Sequence, residues 1–281
     1  MEATEHTIRL PQGLIDIVSV GVDWHEPSME IALTQLLAWM AILDHFDDAS
    51  RTIRWAYLDQ LDSSGLLADS LLPMLFAILG VSEVGAWNFN AGQCAVDEFY
   101  PDCKSRGRKR LLTLVLQPEE LPDLAPLASH VYYRALVTIP SAIRSYYEGL
   151  KDRQLSMSML NFTARHYSPV IIQHEFAMLR EPSAMAQLTE EGLNIKIAAG
   201  GGNIAGGVAA EAIASYVVDE QPMEIGIRLP AEFPLRAVDV RDLRRVGVPE
   251  NKWRGWLMSV QQTITSRVSR KTNSELIART A

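Results

Sequence analysis

The sequence predicts an α+β chain in which a run of packed helices gives way, near residue 182, to a small antiparallel sheet backed by helices. Three observations carry that reading. Apolar residues recur at steps of three and four through most of the first part of the chain, which is the period of a helix with one buried face. From Leu193 onward the period drops to two, as in a strand with one buried face. The 281 residues, 48% of them hydrophobic and 21% charged, suit one large or two ordinary globular domains. The division is placed at 1–181 and 182–281.

Ser28 to Phe46 is the first clear helix: Ser28 can cap it, Glu30 sits in the first turn, and Leu33, Leu36, Leu37, Met40 and Leu43 form one stripe. Asp44, Asp47 and Asp48 fall where a carboxylate opposes the helix dipole, so they are expected to be solvated at the helix end. No paired ligands follow at the regular step a metal site needs. Ile53 to Leu61 and Leu66 to Leu79 come next, the second bent at Pro73 and ended by Gly80. Residues 82–107 lose the period and hold Gly85, Gly92, Pro101 and Gly107, which reads as a loop. Helices resume with Asp123 to Ile139, Ala142 to Leu150 and Leu155 to Tyr167. Another runs from Ser168 to Leu179, opened by a serine cap and the first-turn Pro169. Short joins imply antiparallel neighbours, and helix pairs of this size without an exact repeat resemble the end of a degenerate HEAT-like solenoid.

Pro182 to Gly192 is the expected seam. Leu193, Ile195 and Ile197 alternate with Asn194 and Lys196 as a first strand, and Ile213 to Val218 forms a second. Between them Ala198 to Gly207 reads AAGGGNIAGG; with no Gly-Lys-Ser/Thr after it and a strand following, it fails as a phosphate cradle and reads as a flexible hairpin loop. In a third strand Met223, Ile225, Ile227 and Leu229 alternate with Glu224, Gly226 and Arg228. Pro230 and Pro234 punctuate its exit, and Val238 and Val240 oppose Asp239 and Arg241 in a fourth. Pro249 opens the last helix, whose stripe of Trp253, Trp256, Leu257, Val260 and Ile264 places both tryptophans in the core.

These last elements carry a family resemblance. The string RLPAEFPLRAVDVRDLRRVGVPENKWRGWL, Arg228 to Leu257, resembles the RWD domain of listerin, the RING-type E3 ubiquitin ligase family of ribosome-associated quality control. Leu150 to Gln154 (LKDRQ) with its flanks, and LLPMLFAIL at Leu71 to Leu79, resemble earlier pieces of the same family. Ala237 stands where the family has a second proline, and Arg270 to Ala281 departs from the pattern where a further helix and then the RING would come. The resemblance implies a HEAT-like helical array followed by an RWD domain, a four-stranded antiparallel sheet packed by helices. It also implies docking on the large (60S) ribosomal subunit, against ribosomal protein and rRNA near the exit tunnel and beside other quality-control factors. There the RING ubiquitinates stalled nascent chains.

No catalytic centre is expected in these residues. A RING needs eight paired Cys/His ligands for its zinc ions, whereas the chain has two cysteines, Cys94 and Cys103, and no C-x-x-C. Zinc, and contact with a ubiquitin-conjugating enzyme, are therefore expected only through the RING. RWD domains share their fold with conjugating enzymes, but those need a thiolate after the proline-rich hairpin, and no cysteine follows Cys103. His25-Glu26 and His174-Glu175 each start like H-E-x-x-H, yet Met29 and Met178 stand where the second imidazole belongs, so both read as surface or packing histidines.

Binding remains. The net charge is −8, but residues 1–103 hold 3 Lys/Arg against 16 Asp/Glu, a net of −13, while residues 228–281 hold 11 against 5, a net of +6. Phosphate contact is thus expected at the C-terminal end. Arg241, Arg244 and Arg245, read in the loop before the last helix, with Lys252 and Arg254 on its first turns, are either a ribosome-binding surface or a solvated face. A second basic run, Lys104, Arg106, Arg108, Lys109 and Arg110, is read as a disordered loop end. No apolar run reaches the ~18 residues of a membrane span, and the N-terminus MEATEHTIRL lacks the start of a signal peptide. A monomer in the cytosol is expected, where two cysteines stay reduced. The alternative function is an RWD-type interaction adaptor unrelated to ubiquitin ligation.

Overall fold

The computed structural model describes residues 8–24, 28–47, 49–81, 124–199, 208–218 and 220–265. The loop expected at 82–107, the basic run at 104–110, both cysteines, the His25-Glu26 pair, Asp48, the glycine-rich stretch 200–207 and residues 270–281 lie outside them. The chain divides into two compact units, Met1–Met159 and Leu160–Ala281.

The first unit is helical: α1 (Gln12–Val18), α2 (Met29–Asp47), α3 (Arg51–Ser63), a π-helical turn (Leu67–Leu71) running into α4 (Leu72–Leu79), α5 (Ala125–Thr138), α6 (Pro140–Gly149) and the start of α7 (Arg153–His166). At the head of α2 the Ile31 N–H donates to Ser28 Oγ at 3.2 Å, satisfying one of the N–H groups a helix start leaves open. The helix buries Leu36, Trp39, Ile42, Leu43 and Phe46 completely. Each such side chain contributes about 1.5–3 kcal/mol by leaving water. Burying the Trp39 indole N–H without a partner would cost about 1–3 kcal/mol. It donates to Ser70 Oγ at 3.2 Å; Ser70 donates to Gln35 Oε1 at 3.4 Å, and Gln35 Nε2 to the Val20 carbonyl at 3.0 Å. A buried polar relay with every step satisfied keeps the core free of an orphaned donor.

Two expectations fail in this unit. Asp44 and Asp47 are not simply solvated: although their side chains stay 32% and 28% exposed, the buried Arg134 on α5 donates Nη1 to Asp44 at 2.6 Å and Nη2 to Asp47 at 3.0 Å. The guanidinium fork spans two carboxylates one helical turn apart and neutralises charge that would oppose the α2 dipole. Nor is Pro73 itself the point where the helix becomes irregular. The irregularity precedes it: Leu72 N–H reaches back five residues to the Leu67 carbonyl, and Pro73 lies in the first turn of α4, where its missing N–H costs nothing. Gly80 closes α4 with φ +64°, as a left-handed cap requires.

The second unit holds the end of α7, then α8 (Ser168–Leu179), α9 (Pro182–Glu190), strands β1 (Leu193–Ala199), β2 (Val208–Val218), β3 (Gln221–Pro230) and β4 (Asp239–Arg244), and α10 (Glu250–Thr265). Ser168 does not cap α8. Only Tyr167 separates α7 from α8, so the N–H of Ile171 donates to Tyr167, and the buried Ser168 hydroxyl turns back to the Thr163 carbonyl at 3.2 Å. The expected seam from Pro182 to Gly192 is itself mostly helix, with Pro182 at its start. Gly192, φ +79°, makes the reversal into β1.

The sheet is an antiparallel meander in the order β1-β2-β3-β4. Pairing of Ile195 with Ala214, Ala212 with Ile227 and Ala210 with Leu229 collects the apolar positions on one face. On β2 these inward positions are Ala210, Ala212 and Ala214, all buried, and small side chains let the backbone of α8 approach that strand closely. The other face is polar, with Arg228 facing Glu211 at 3.7 Å.

Candidate functional site

The five cations singled out from the sequence lie along β4 and the start of α10, and one glutamine fixes that arrangement. Gln261 on α10 donates Nε2 to the Val238 carbonyl at 2.6 Å and accepts the Val240 N–H at 2.9 Å. Its side-chain amide does for the edge strand what a further strand would do, pairing one donor and one acceptor. The helix is thereby pinned to β4. Between Pro230 and β4 the chain makes a tight excursion with a cis Phe233–Pro234 bond and buries Phe233, Leu235 and Val238.

The positions differ from expectation in one respect: Arg241 and Arg244 belong to strand β4, which stays paired with β3 as far as Arg244 opposite Glu224 even though the apolar alternation stops at Val240, and only Arg245 lies in the loop. All five are exposed. Their electrostatic states are not equal. Arg241 Nε is held by Asp239 at 3.1 Å, and Arg254 is held by Glu250 one helical turn before it. Arg244, Arg245 and Lys252 have no carboxylate partner among the described residues. Three cations are thus free to meet an external anion, two of them on adjacent residues where strand becomes loop and the third on the first turns of α10.

Beside them, between α10 and the apolar sheet face, runs a groove of about 320 Å³ whose floor includes Leu193, Tyr216, Met223 and Ile225 and whose wall includes Trp253 and Trp256. Trp253 is buried, as the helix period predicts. Trp256 is not: half its surface is exposed, because it stands at the margin of the stripe, over the open groove instead of the sheet. The two rings meet edge to face, centroids 6.3 Å apart. Neither Gln261 nor the groove was singled out from the sequence. The only signal for the groove was apolar alternation continuing to Tyr216 and Met223, past the reach of the helix stripe.

His174 is buried in α8, as a packing histidine would be. Burial pushes its neighbour Glu175 up to about 7. Among the described residues no group of three or more His, Cys, Asp or Glu is placed to hold a metal ion. No single helix among them is long and apolar enough to cross a membrane.

Comparison with known proteins agrees with this two-part architecture. The family model described as the LTN1 family HEAT repeat region matches residues 1–180, and the one described as ubiquitin conjugating domain-like matches residues 205–273. The chain is 28% identical over 243 residues to the E3 ubiquitin-protein ligase listerin of Schizosaccharomyces pombe, covering 86% of the chain and 14% of that protein. It is 24% identical over 263 residues to the listerin of Saccharomyces cerevisiae, covering 92% and 16%. To that of Mus musculus it is 25% identical over 234 residues, covering 83% and 12%. The chain thus spans about a seventh of the length of these relatives. With a HEAT-type helical unit matched over most of its length and a conjugating-domain-like sheet unit after it, the chain belongs to the listerin family.

Proposed function

We propose that this chain is the ribosome-docking C-terminal region of a listerin-like E3 ubiquitin ligase, acting in the cytosol within ribosome-associated quality control. Its sheet unit, of RWD type, binds the 60S subunit near the exit tunnel, against rRNA phosphate and ribosomal protein, alongside the other factors of the quality-control complex. The zinc-binding RING, which these residues do not contain, is held near stalled nascent chains and meets the conjugating enzyme there. The fragment works by position. Holding a catalytic domain beside emerging lysines raises their effective concentration without any bond-making centre in the fragment itself.

The observation that carries the reading is that Arg244, Arg245 and Lys252 are exposed and have no carboxylate partner among the described residues, on the conjugating-domain-like sheet unit of a listerin-family chain. Sedimentation of the purified chain with isolated 60S subunits across a salt series tests it. Cosedimentation at low salt that fades as salt rises is the expected result. A chain that stays in the supernatant at every salt concentration overturns the proposal in favour of an interaction adaptor with no ribosomal role.

A further inference from the structure

We infer that arginine stands where lysine would serve over most of this surface, so that the ligase does not ubiquitinate itself. The inference rests on the reading above, in which the chain holds a RING close to lysine acceptors. Of the 26 basic residues 20 are arginine and 6 are lysine, and no lysine occurs among residues 1–103. Lysine is ordinarily one of the commonest residues of a globular protein, and it is mostly exposed. Here it is scarce.

Packing accounts for some of the arginines and not for the rest. Arg134 spans two carboxylates with its fork. Arg54 donates Nε to the Ala49 carbonyl at 2.9 Å and Nη2 to the Asp47 carbonyl at 3.1 Å, closing the end of α2. A planar guanidinium holds such paired bonds in fixed geometry, which an ammonium on a flexible stem does not. Ten other described arginines are exposed, against three exposed lysines, Lys151, Lys196 and Lys252. Of the ten, only Arg241 and Arg254 are paired with a described carboxylate. At Arg165 on α7, Arg180 after α8 and Arg236 before β4, all facing solvent, lysine would supply the same charge.

What separates the two cations is nucleophilicity. A lysine ammonium that gives one proton to water becomes an amine, which attacks the thioester carbonyl joining the ubiquitin C-terminus to the cysteine of a conjugating enzyme. The C–N bond forms, the C–S bond breaks, and the departing thiolate takes up a proton from the new amide nitrogen. The guanidinium stays protonated and takes no part. A domain tethered to this chain meets the chain's own amines at the same raised effective concentration as those of a substrate held nearby, so each exposed lysine competes for every transfer. Arginine removes the competitor and keeps the charge.

The test joins the full chain at its C-terminus to a RING domain and incubates it with ubiquitin, ATP, activating enzyme and conjugating enzyme. Arg165→Lys, Arg180→Lys and Arg236→Lys together leave the net charge unchanged and add three exposed lysines to the two described in the second unit, Lys196 and Lys252. Self-modification should rise about two- to threefold, in proportion to the acceptors within reach. Mass spectrometry should find the new ubiquitin on positions 165, 180 and 236, while discharge of the conjugating enzyme to free lysine proceeds at the parent's rate. Self-modification that stays at the parent's level, or new ubiquitin confined to other positions, overturns the proposal. Cosedimentation with 60S subunits is read on the same proteins, so a chain that fails to dock while gaining self-modification refutes the ribosomal reading and supports this one.

Discussion

The inequality among the five cations makes ribosome docking quantitatively testable. If Arg244, Arg245 and Lys252 each neutralise one rRNA phosphate, the logarithm of the binding constant should fall with the logarithm of salt at a slope of about −2 to −3, from about 0.7–0.9 counterions released per phosphate. Between 50 and 200 mM salt that amounts to a loss of about 20- to 40-fold in affinity. Replacing any one of the three with glutamine should reduce the slope by nearly one unit and weaken binding about evenly across RNA contexts. Arg241→Gln and Arg254→Gln behave differently, because each of those side chains is already held by its own carboxylate, Asp239 or Glu250. Removing them should leave the slope within about 0.3 of the parent value, since the carboxylate beside each cation already offsets its charge and leaves little net charge to displace counterions from phosphate. The assay is fractional cosedimentation of the full chain with 60S subunits at stepped salt. Equal loss of slope from all five substitutions would refute the assignment of separate roles. A slope near zero for the parent chain would refute phosphate contact altogether.

Three further outcomes follow from packing and burial. Trp253→Ala should destabilise the sheet unit by about 3–5 kcal/mol, while Trp256→Ala, half of whose surface is already in water, should cost about 1 kcal/mol or less; urea unfolding followed by circular dichroism separates them, and similar losses would contradict the placement of the two rings. In the helical unit Arg134→Met leaves two carboxylates whose side chains are 32% and 28% exposed and can turn to water, for about 2 kcal/mol. The double change Asp44→Ala and Asp47→Ala strands a guanidinium only 6% exposed and should cost about 3–5 kcal/mol; the reverse order in the same unfolding assay would rule out a buried cation as the element needing compensation. Burial raises the Glu175 carboxyl to about 7 from 4.5, so the contribution of this group to stability should be fullest below pH 4.5 and be lost as pH rises toward 7. Glu175→Gln should remove that decline, up to about 3 kcal/mol, and unfolding midpoints of the two proteins that stay parallel from pH 5 to pH 8 would contradict it.

The difference between what the sequence disclosed and what it withheld follows the range of the interactions. Elements set by their own residues were legible: the strand of Met223 to Leu229, the Ser28 cap and the end of α4 at Gly80 all depend on groups within a turn or a rung of one another. The errors arose where a distant or adjoining element changed what a residue needs. Asp44 was assigned to water because its partner, Arg134, lies 90 residues away, and no local pattern pairs them. Ser168 follows the cap rule in sequence, but α7 runs almost into α8 and supplies the carbonyl that takes its hydroxyl. Trp256 fits the period of a buried stripe, yet the stripe is wider than the strip of sheet beneath it.

That mismatch in width bears on what the sheet unit leaves open. Helix α10 is held against the edge strand β4 by Gln261, while Tyr216, at the end of β2, stays 40% exposed beside the groove. Had the helix been centred on the sheet, the groove would close and Trp256 would be core. The off-centre anchoring therefore leaves an apolar channel open beside Trp256. The sequence pattern of the helix is compatible with either placement. Only the side-chain amide of Gln261, pairing with the backbone of Val238 and Val240, decides between them.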